Sequence, residues 1–150
     1  MNIDDILAAQ DLLFEHLENA PENVSKQARV VRNAQCSVGS GIVTTIELHI
    51  GPPNRITLDV DAVRPDPQPA QPIPVTHCSL EVSVFANQHG KRAQQLDHHK
   101  FIPSRTPQGT VLWKEGNTLP NGEVVWTERG LSYTPEQLPS FALGLLRKHT

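Results

Sequence analysis

The 150-residue sequence predicts an α+β protein, in which a largely antiparallel sheet of about five or six strands accompanies an N-terminal and a C-terminal helix. Residues 46–50 and 56–60 each alternate between apolar and polar side chains with a period of two, which is typical of a half-buried hairpin. Both ends of the chain carry apolar residues at helical spacing. Thirteen prolines and nine glycines indicate many turns, which favours strands joined by loops.

The hairpin turns at Gly51-Pro52-Pro53-Asn54. Pairing Ile50 with Ile56 places all the apolar side chains of both strands on one face, and a one-residue slip would turn them to water. This apolar face consists of Ile46, Leu48, Ile50, Ile56, Leu58 and Val60.

The same register places Glu47 opposite Asp59 and His49 opposite Thr57 on the other face. Like charges directly across a ladder repel each other, which raises the question whether a cation belongs between them. Oxygen ligands would suit a hard divalent ion. We interpret this face instead as solvated surface, because the sequence supplies no further ligands for such an ion.

An amphipathic helix is predicted at the N-terminus, capped by Asn2 and stopped by Pro21. Its apolar face consists of Ile6, Leu13, Phe14 and Leu17. Such a helix covers a sheet or docks on a partner, and we expect it to cover the sheet.

The C-terminal helix is predicted to begin at Thr134, an N-cap followed by Pro135 and by Gln137, which completes a capping box. Pro139 leaves an alternative open, because it has no N–H: residues 135–138 form a separate tight turn and the helix starts at Pro139. In both cases the apolar face consists of Leu138, Phe141, Ala142 and Leu145.

Three further strands are predicted, over Leu80–Phe85, Val111–Trp113 and Val124–Trp126. Asn121-Gly122 is the hairpin turn before the last of them. Residues 22–36 form a polar connection, and residues 91–100 are polar and ambiguous. Five prolines make residues 64–74 a stiff connector. We predict one domain over residues 1–150, since neither side of this connector has enough apolar residues for a core of its own.

Charge is distributed unevenly along the chain. Residues 1–75 hold five Lys/Arg and ten Asp/Glu, a net charge of −5, whereas residues 76–150 hold eight and six, a net charge of +2. An anionic partner should therefore prefer the second half. With two cysteines and no long apolar run, we expect a cytoplasmic protein that does not associate with a membrane.

One motif suggests an enzyme. LDHHKFIPSR, which contains Asp97-His98-His99, resembles the first block of HNH endonucleases, and His98 would hold the position of the general base. The histidine that should close such a site soon after Asn117 or Asn121 is missing, because the next histidine is His149. We therefore predict a non-enzymatic protein with no catalytic residues, no metal and no cofactor.

The second half also interleaves basic and aromatic residues, and phosphates attract Lys and Arg while bases stack on aromatic rings. The candidate nucleic-acid-binding residues are Lys91, Arg92, Lys100, Arg105, Lys114, Trp126 and Arg129. A competing interpretation places Trp113 and Trp126 in the core, across the Asn121-Gly122 hairpin.

Two segments carry a family resemblance. EVSVFANQHGK (81–91) and GEVVWTERGLSYTPEQLPSFALGLL (122–146) are similar to the opening strand and the ending of the single-stranded DNA-binding domain of the transcriptional positive cofactor four and Whirly type. Over residues 80–148 this resemblance implies four antiparallel strands followed by a helix, and a dimer that binds single-stranded DNA. It also implies that Trp126 and Arg129 lie on the last strand and that Gly130 ends it.

We therefore predict a non-enzymatic protein, forming a homo-oligomer and specifically a dimer, that binds single-stranded nucleic acid or regulates transcription. The alternative is a structural, assembly or interaction protein of a bacteriophage or mobile element without affinity for nucleic acid. In that case the acidic hairpin and the first helix would contact other proteins.

Overall fold

A computed structural model describes residues 3–19, 25–36, 39–50, 55–65, 78–89, 91–118, 124–126 and 131–149. Within these ranges, the side chains of residues 25–36, 39–41, 65, 117–118 and 124–126 are not described. The predicted cap Asn2, the stop at Pro21, the turns at 51–54 and 121–122, most of the connector, Arg129 and Gly130 lie outside the described residues.

The described chain consists of two helices and one antiparallel sheet. The helices are α1 (Ile3–Glu18) and α2 (Leu138–Lys148). The six longer strands are β1 (Ser25–Cys36), β2 (Gly39–Ile50), β3 (Ile56–Pro65), β4 (Leu80–Gln88), β5 (Lys91–Arg105) and β6 (Val111–Thr118), and the two short ones are β7 (Val124–Trp126) and β8 (Ser132–Tyr133). Strands β1 to β7 neighbour one another in chain order, and β8 also pairs with β6. The α+β fold with a helix at each end is confirmed.

The predicted hairpin is confirmed in its register. Ile50 pairs with Ile56, Glu47 pairs with Asp59, and His49 pairs with Thr57. Its apolar face is buried in the core except at Ile50, which is half-buried. Alternation of apolar and polar residues fixed this register, because only one register buries the whole apolar set.

Strand β1 corrects the prediction of a polar connection. Its residues pair with β2, and the register shifts between Val31 and Ala34. The segment carries Lys26, Arg29 and Arg32 and lacks regular alternation. Charged residues and an irregular register are common features of edge strands, so the period-two pattern misses such a strand.

Residues 91–100, which the sequence left ambiguous, form the first part of strand β5. The strand then continues through Pro103. Its register against β4 shifts twice, which breaks the alternation of side chains that would reveal a strand. Proline is tolerated because β4 pairs with β5 only as far as Phe101, while Pro103 pairs with Trp113 of β6. The side towards β4 is therefore free at this position, and no ladder hydrogen bond from residue 103 is required there.

One apolar cluster joins both helices to the sheet. Leu13 and Leu17 of α1 and Leu146 of α2 pack with sheet residues such as Leu58 and Val82. We call the sheet face that meets the helices the helix face, and the opposite face the outer face. The cluster contains residues from both sides of the Pro-rich connector, and β3 pairs with β4 across it.

The start of α2 combines the two alternatives for this helix. The Thr134 hydroxyl accepts a hydrogen bond from the Gln137 N–H (3.3 Å), and the Gln137 side chain accepts one from the Thr134 N–H (3.1 Å), so the capping box is formed. Residues 135–137 nevertheless form a turn, and the α-helix begins at Leu138. Pro139 then lies in the first turn, where its missing N–H costs nothing.

Candidate functional site

The outer face of the hairpin carries a cluster of two carboxylates and a guanidinium, which we call the acid–arginine cluster: Glu47, Asp59 and Arg92. Nη2 of Arg92 lies 2.9 Å from Oε1 of Glu47 and also contacts Oδ2 of Asp59. Asp59 is only 3% exposed and Glu47 only 8%, so the prediction of a solvated acidic face is wrong. The chain provides its own cation between the carboxylates, and burying them without one would be costly.

The β4–β5 hairpin positions this arginine. His89, in the turn between the two strands, has a φ of 52°, a left-handed conformation that tight hairpin turns require. Arg92 then pairs with Asn87, two residues beyond Phe85 on the same face of β4. Its Cζ lies over the Phe85 ring, 4.3 Å from the centroid. The guanidinium is thus fixed by an aromatic ring beside it and by carboxylates at one edge.

Asp61 lies next to this cluster on β3. Burial, and then its neighbour Asp59, raise the pKa of Asp61 from 3.8 to about 6, although a hydrogen bond from Thr45 and the charge of Arg92 act in the opposite direction. The Thr45 hydroxyl donates to Oδ1 of Asp61 over 2.6 Å. A protonated Asp61 can share its proton with Asp59, which relieves the repulsion between the two carboxylates.

The polar network continues beyond the acidic residues. Nδ1 of His49 lies 2.8 Å from the Thr57 hydroxyl, which also accepts a hydrogen bond of 2.7 Å from Nδ2 of Asn87. Nε2 of His49 lies 3.3 Å from Oε2 of Glu47. The outer face of β2, β3 and β4 is therefore held together by side-chain hydrogen bonds as well as by the ladder.

The candidate nucleic-acid-binding residues do not share one face. Ladder partners, and the alternation of side chains along each strand, place Arg92, Lys100 and Lys114 on the outer face. Lys100 pairs with Gly116, and Lys114 pairs with Ile102, the next residue of β5 on the same face as Lys100. Lys91 pairs with Gln88 and Arg105 with Val111, which places both on the helix-face side of the sheet. Both of these residues are exposed.

The two tryptophans differ in what is described. The backbone of Trp126 pairs with Gly116, between β6 and β7, whereas its side chain and all of Arg129 lie outside the described residues. Trp113 is 0% exposed and belongs to the core. The core interpretation of Trp113 is therefore confirmed, and a base cannot stack on its ring in the folded protein.

A second polar cluster lies on the helix face, where two histidines and two carboxylates alternate. We call it the histidine–carboxylate chain: Glu115, His99, Asp97 and His149. Oε1 of Glu115 lies 2.5 Å from Nδ1 of His99, and Nε2 of His99 lies 3.5 Å from Oδ1 of Asp97. Oδ2 of Asp97 lies 2.5 Å from Nε2 of His149, which follows α2.

Asp97 is the central acceptor of this chain. Burial opposes its ionisation, but the hydrogen bond from His149 and the charges of Lys148, His149 and His99 outweigh that effect, so the pKa of Asp97 lies below its usual value. Nζ of Lys148 lies 3.7 Å from Oδ2 of the same carboxylate. These contacts attach the end of α2 to strand β5.

Aromatic rings pack against His99. The Phe141 ring meets His99 edge-on with centroids 5.1 Å apart, and it also contacts Phe101 and Tyr133 at 5.6 and 4.7 Å. Burial, with a smaller contribution from Glu115, raises the pKa of Tyr133. The side of the histidine–carboxylate chain that faces the protein interior is thus largely apolar. An apolar surrounding strengthens the polar contacts between the four side chains.

The HNH-like motif does not converge on one site. His98 pairs with Ser83 on the outer face, whereas Asp97 and His99 pair with Val84 and Val82 on the helix face. Nε2 of His98 lies 3.7 Å from Glu81. His149 does approach the motif, but through Asp97. In the part of the chain that the structure describes, no group of three or more His, Cys, Asp or Glu side chains is suited to hold a metal ion.

The sequence named Arg92 only as a candidate nucleic-acid contact, and it did not predict the two long-range contacts that complete these clusters. Arg92 reaches Asp59 from 33 residues away, and His149 reaches Asp97 from 52 residues away. The repulsion between Glu47 and Asp59 was the available signal for the first, because it required a cation. No comparable signal in the sequence indicated the contact of His149.

A groove of about 410 Å³ lies between α1, the turn before β6 and the start of α2. Its floor is apolar, and Asp5 and Glu136 are the charged residues in its lining. A lining with carboxylates and no cation does not suit an anionic ligand.

Comparison with protein-family models, with curated proteins and with solved structures found no match to this chain. The resemblance of residues 80–148 to the positive cofactor four and Whirly type therefore stays a prediction. Neither helix is long and apolar enough to cross a membrane, as far as the described residues extend.

Proposed function

We propose that the protein binds single-stranded nucleic acid without enzymatic activity, through the outer face of β5 and β6. The observation that carries this proposal is the placement of Lys100 and Lys114. Lys100 pairs with Gly116, and Lys114 pairs with Ile102. The two lysines are therefore diagonal neighbours on β5 and β6, and such neighbours lie about 7–8 Å apart. Two cations at this spacing on one face of a sheet can follow the backbone of a single strand.

Three further features support the proposal. The backbone of Trp126 pairs with Gly116, so an aromatic residue accompanies the lysines on the neighbouring strand. Gly116 itself has no side chain to fill the space between the lysines. The resemblance implies four antiparallel strands and then a helix for residues 80–148; in this region β4 to β7 are neighbours in the sheet, and α2 follows them after the short strand β8.

The test is the salt dependence of binding, measured by fluorescence anisotropy with a labelled single-stranded DNA oligonucleotide. Each phosphate contact on a single strand contributes about 0.7 to the slope of log K against log salt. The double variant Lys100→Gln/Lys114→Gln should therefore lower the magnitude of the slope by about 1.4. The matched control is Lys91→Gln/Arg105→Gln, which removes the same charge from the helix-face side and should leave the slope unchanged.

If both double variants lower the salt slope equally, the strand is attracted by the overall positive charge of residues 76–150 and not by Lys100 and Lys114 in particular. Absence of binding by the wild-type chain would reject the proposal. The alternative, a protein that contacts other proteins in an assembly, would then be tested by light scattering for a larger oligomer.

A further inference from the structure

We propose that the guanidinium of Arg92 is a stacking platform for a nucleobase rather than a contact for phosphate. This inference rests on the proposed function and assigns a different role to one residue of the same face. Bases stack on guanidinium planes as well as on aromatic rings, so an arginine can hold a base with its plane while its N–H groups are used elsewhere.

One terminal nitrogen of the Arg92 guanidinium is already engaged. Nη2 contacts both Glu47 and Asp59, and these carboxylates are 10% and 4% exposed at their side chains. A phosphate at this guanidinium would be repelled by two carboxylates that are almost completely buried. The carboxylates therefore make Arg92 a poor site for an anion.

The plane of the guanidinium is held but not enclosed. Its Cζ lies over the Phe85 ring at 4.3 Å from the centroid. Although the ring covers one side and the carboxylates occupy one edge, 41% of the Arg92 side chain is exposed. A flat group that is already held in place and still partly exposed loses little freedom when a base stacks on it.

The location fits a strand that crosses the outer face. Arg92 and Lys100 lie on the same face of β5, and Phe85 precedes Arg92 on the neighbouring strand. A strand whose phosphates meet Lys100 and Lys114 could place a base further along β5, over Arg92. Glu47 and Asp59 would then be positioning residues, because they act through the guanidinium.

The experiment compares two probes, a mixed single-stranded DNA oligonucleotide and an abasic oligonucleotide of the same length. Arg92→Lys keeps the charge but removes the plane. We expect it to weaken binding of the mixed oligonucleotide about tenfold, with an unchanged salt slope and unchanged affinity for the abasic strand. The matched control, Lys91→Arg, also conserves charge on the neighbouring exposed residue and should change neither affinity.

A second variant guards against loss of structure. Phe85→Leu leaves Arg92 and both carboxylates in place but removes the ring beneath the guanidinium, and it should weaken only the binding of the mixed oligonucleotide. The tryptophan fluorescence of each variant, recorded without an oligonucleotide, reports whether the variant is folded.

The outcomes separate the two proposals. Equal binding of wild type, Arg92→Lys and Phe85→Leu to the mixed oligonucleotide would overturn the platform and leave the proposed function standing. An equal loss by Arg92→Lys for both probes would also overturn it, since that result identifies a phosphate contact. If the wild-type chain binds neither probe, the proposed function itself fails.

Discussion

The acid–arginine cluster on the outer face and the histidine–carboxylate chain on the helix face each hold two carboxylates against cations, but the cations differ. A guanidinium keeps its charge at every pH at which a protein folds. Imidazoles change their charge between about pH 5 and pH 8. The outer cluster is therefore a permanent ion pair, whereas the histidine–carboxylate chain holds its carboxylates through imidazole nitrogens.

Burial separates the two clusters further. Asp59 is almost completely buried, while Asp97 retains 18% of its side-chain exposure. A buried carboxylate without a partner costs several kcal/mol, whereas a partly exposed carboxylate can be solvated when its partner is lost. The comparison teaches that the number of charged contacts does not measure their energetic importance.

The largest effect should follow from removing the permanent cation. Arg92→Met leaves Glu47 and Asp59 buried without the guanidinium, so we expect the free energy of unfolding to fall by about 3 kcal/mol at pH 7. Urea unfolding measures this change. Adding Glu47→Gln and Asp59→Asn to the variant should recover part of the loss, because the buried charges are then gone.

The matched control for this prediction is Lys91→Met, an equal change at the neighbouring exposed residue. It should change stability by less than about 0.5 kcal/mol. If Arg92→Met lowers the free energy of unfolding by no more than Lys91→Met does, the arginine does not stabilise the two buried carboxylates.

Asp61→Asn should stabilise the protein, in contrast to most substitutions of charged residues. Because the folded-state pKa of Asp61 is raised from 3.8 to about 6, its favourable contribution is present below pH 3.8 and is lost as the pH rises through 6. Asparagine removes that loss. We expect a gain of about 1–2 kcal/mol at pH 8, after allowing for solvent screening of a half-buried group.

Urea unfolding of wild type and Asp61→Asn at pH 4 and pH 8 checks the sign of this effect. The difference between the two proteins should be small at pH 4 and large at pH 8. A difference that does not depend on pH would mean that Asp61 ionises normally in the folded protein.

Asp97→Asn should show the opposite dependence on pH. The folded-state pKa of Asp97 is lowered, so its contribution is present above its ordinary pKa of 3.8 and is lost as the pH falls through the lower, folded value. We expect a cost of about 1 kcal/mol at pH 7, typical of a partly exposed ion pair with a hydrogen bond. Unfolding by urea at pH 7 and pH 3 measures it, and the cost should diminish at the lower pH.

The smallest effect is expected at His98. His98→Gln removes only an exposed contact with Glu81, so stability should change by less than about 0.5 kcal/mol. His99→Gln, the adjacent and chemically equal change, also loses packing against Phe101 and Phe141 and should cost more. Equal costs in thermal unfolding would contradict the assignment of the two histidines to opposite faces.

Regular patterns in the sequence predicted the elements whose side chains alternate without interruption. The β2–β3 register was predicted residue by residue, and so was most of the apolar face of α1 and α2, because a core accepts only one arrangement of each pattern. The exceptions include Phe141, which is half-buried, and Ala9, Gln10 and Leu146, which are buried although they were not predicted. The sequence did not predict β1, which is a charged edge strand, or the first part of β5, where two register shifts break the alternation.

The candidate site was predicted less well than the fold. Local sequence identified the repulsion of Glu47 and Asp59 and the unusual Asp97-His98-His99 motif, but it treated the first as solvated and could not complete the second. It also grouped basic residues by their closeness in the chain, whereas strand alternation divides them between the two faces.

By itself, the sequence determined the fold class, the central hairpin and the presence of a charge conflict within that hairpin. These depend on periodicity and on interactions between near neighbours in the chain. Only the tertiary structure decided which groups resolve the conflict. Arg92 and His149 contact carboxylates that are 33 and 52 residues away in the sequence, and the order of the intervening strands in the sheet brings these residues together. No local propensity encodes a contact at such a separation.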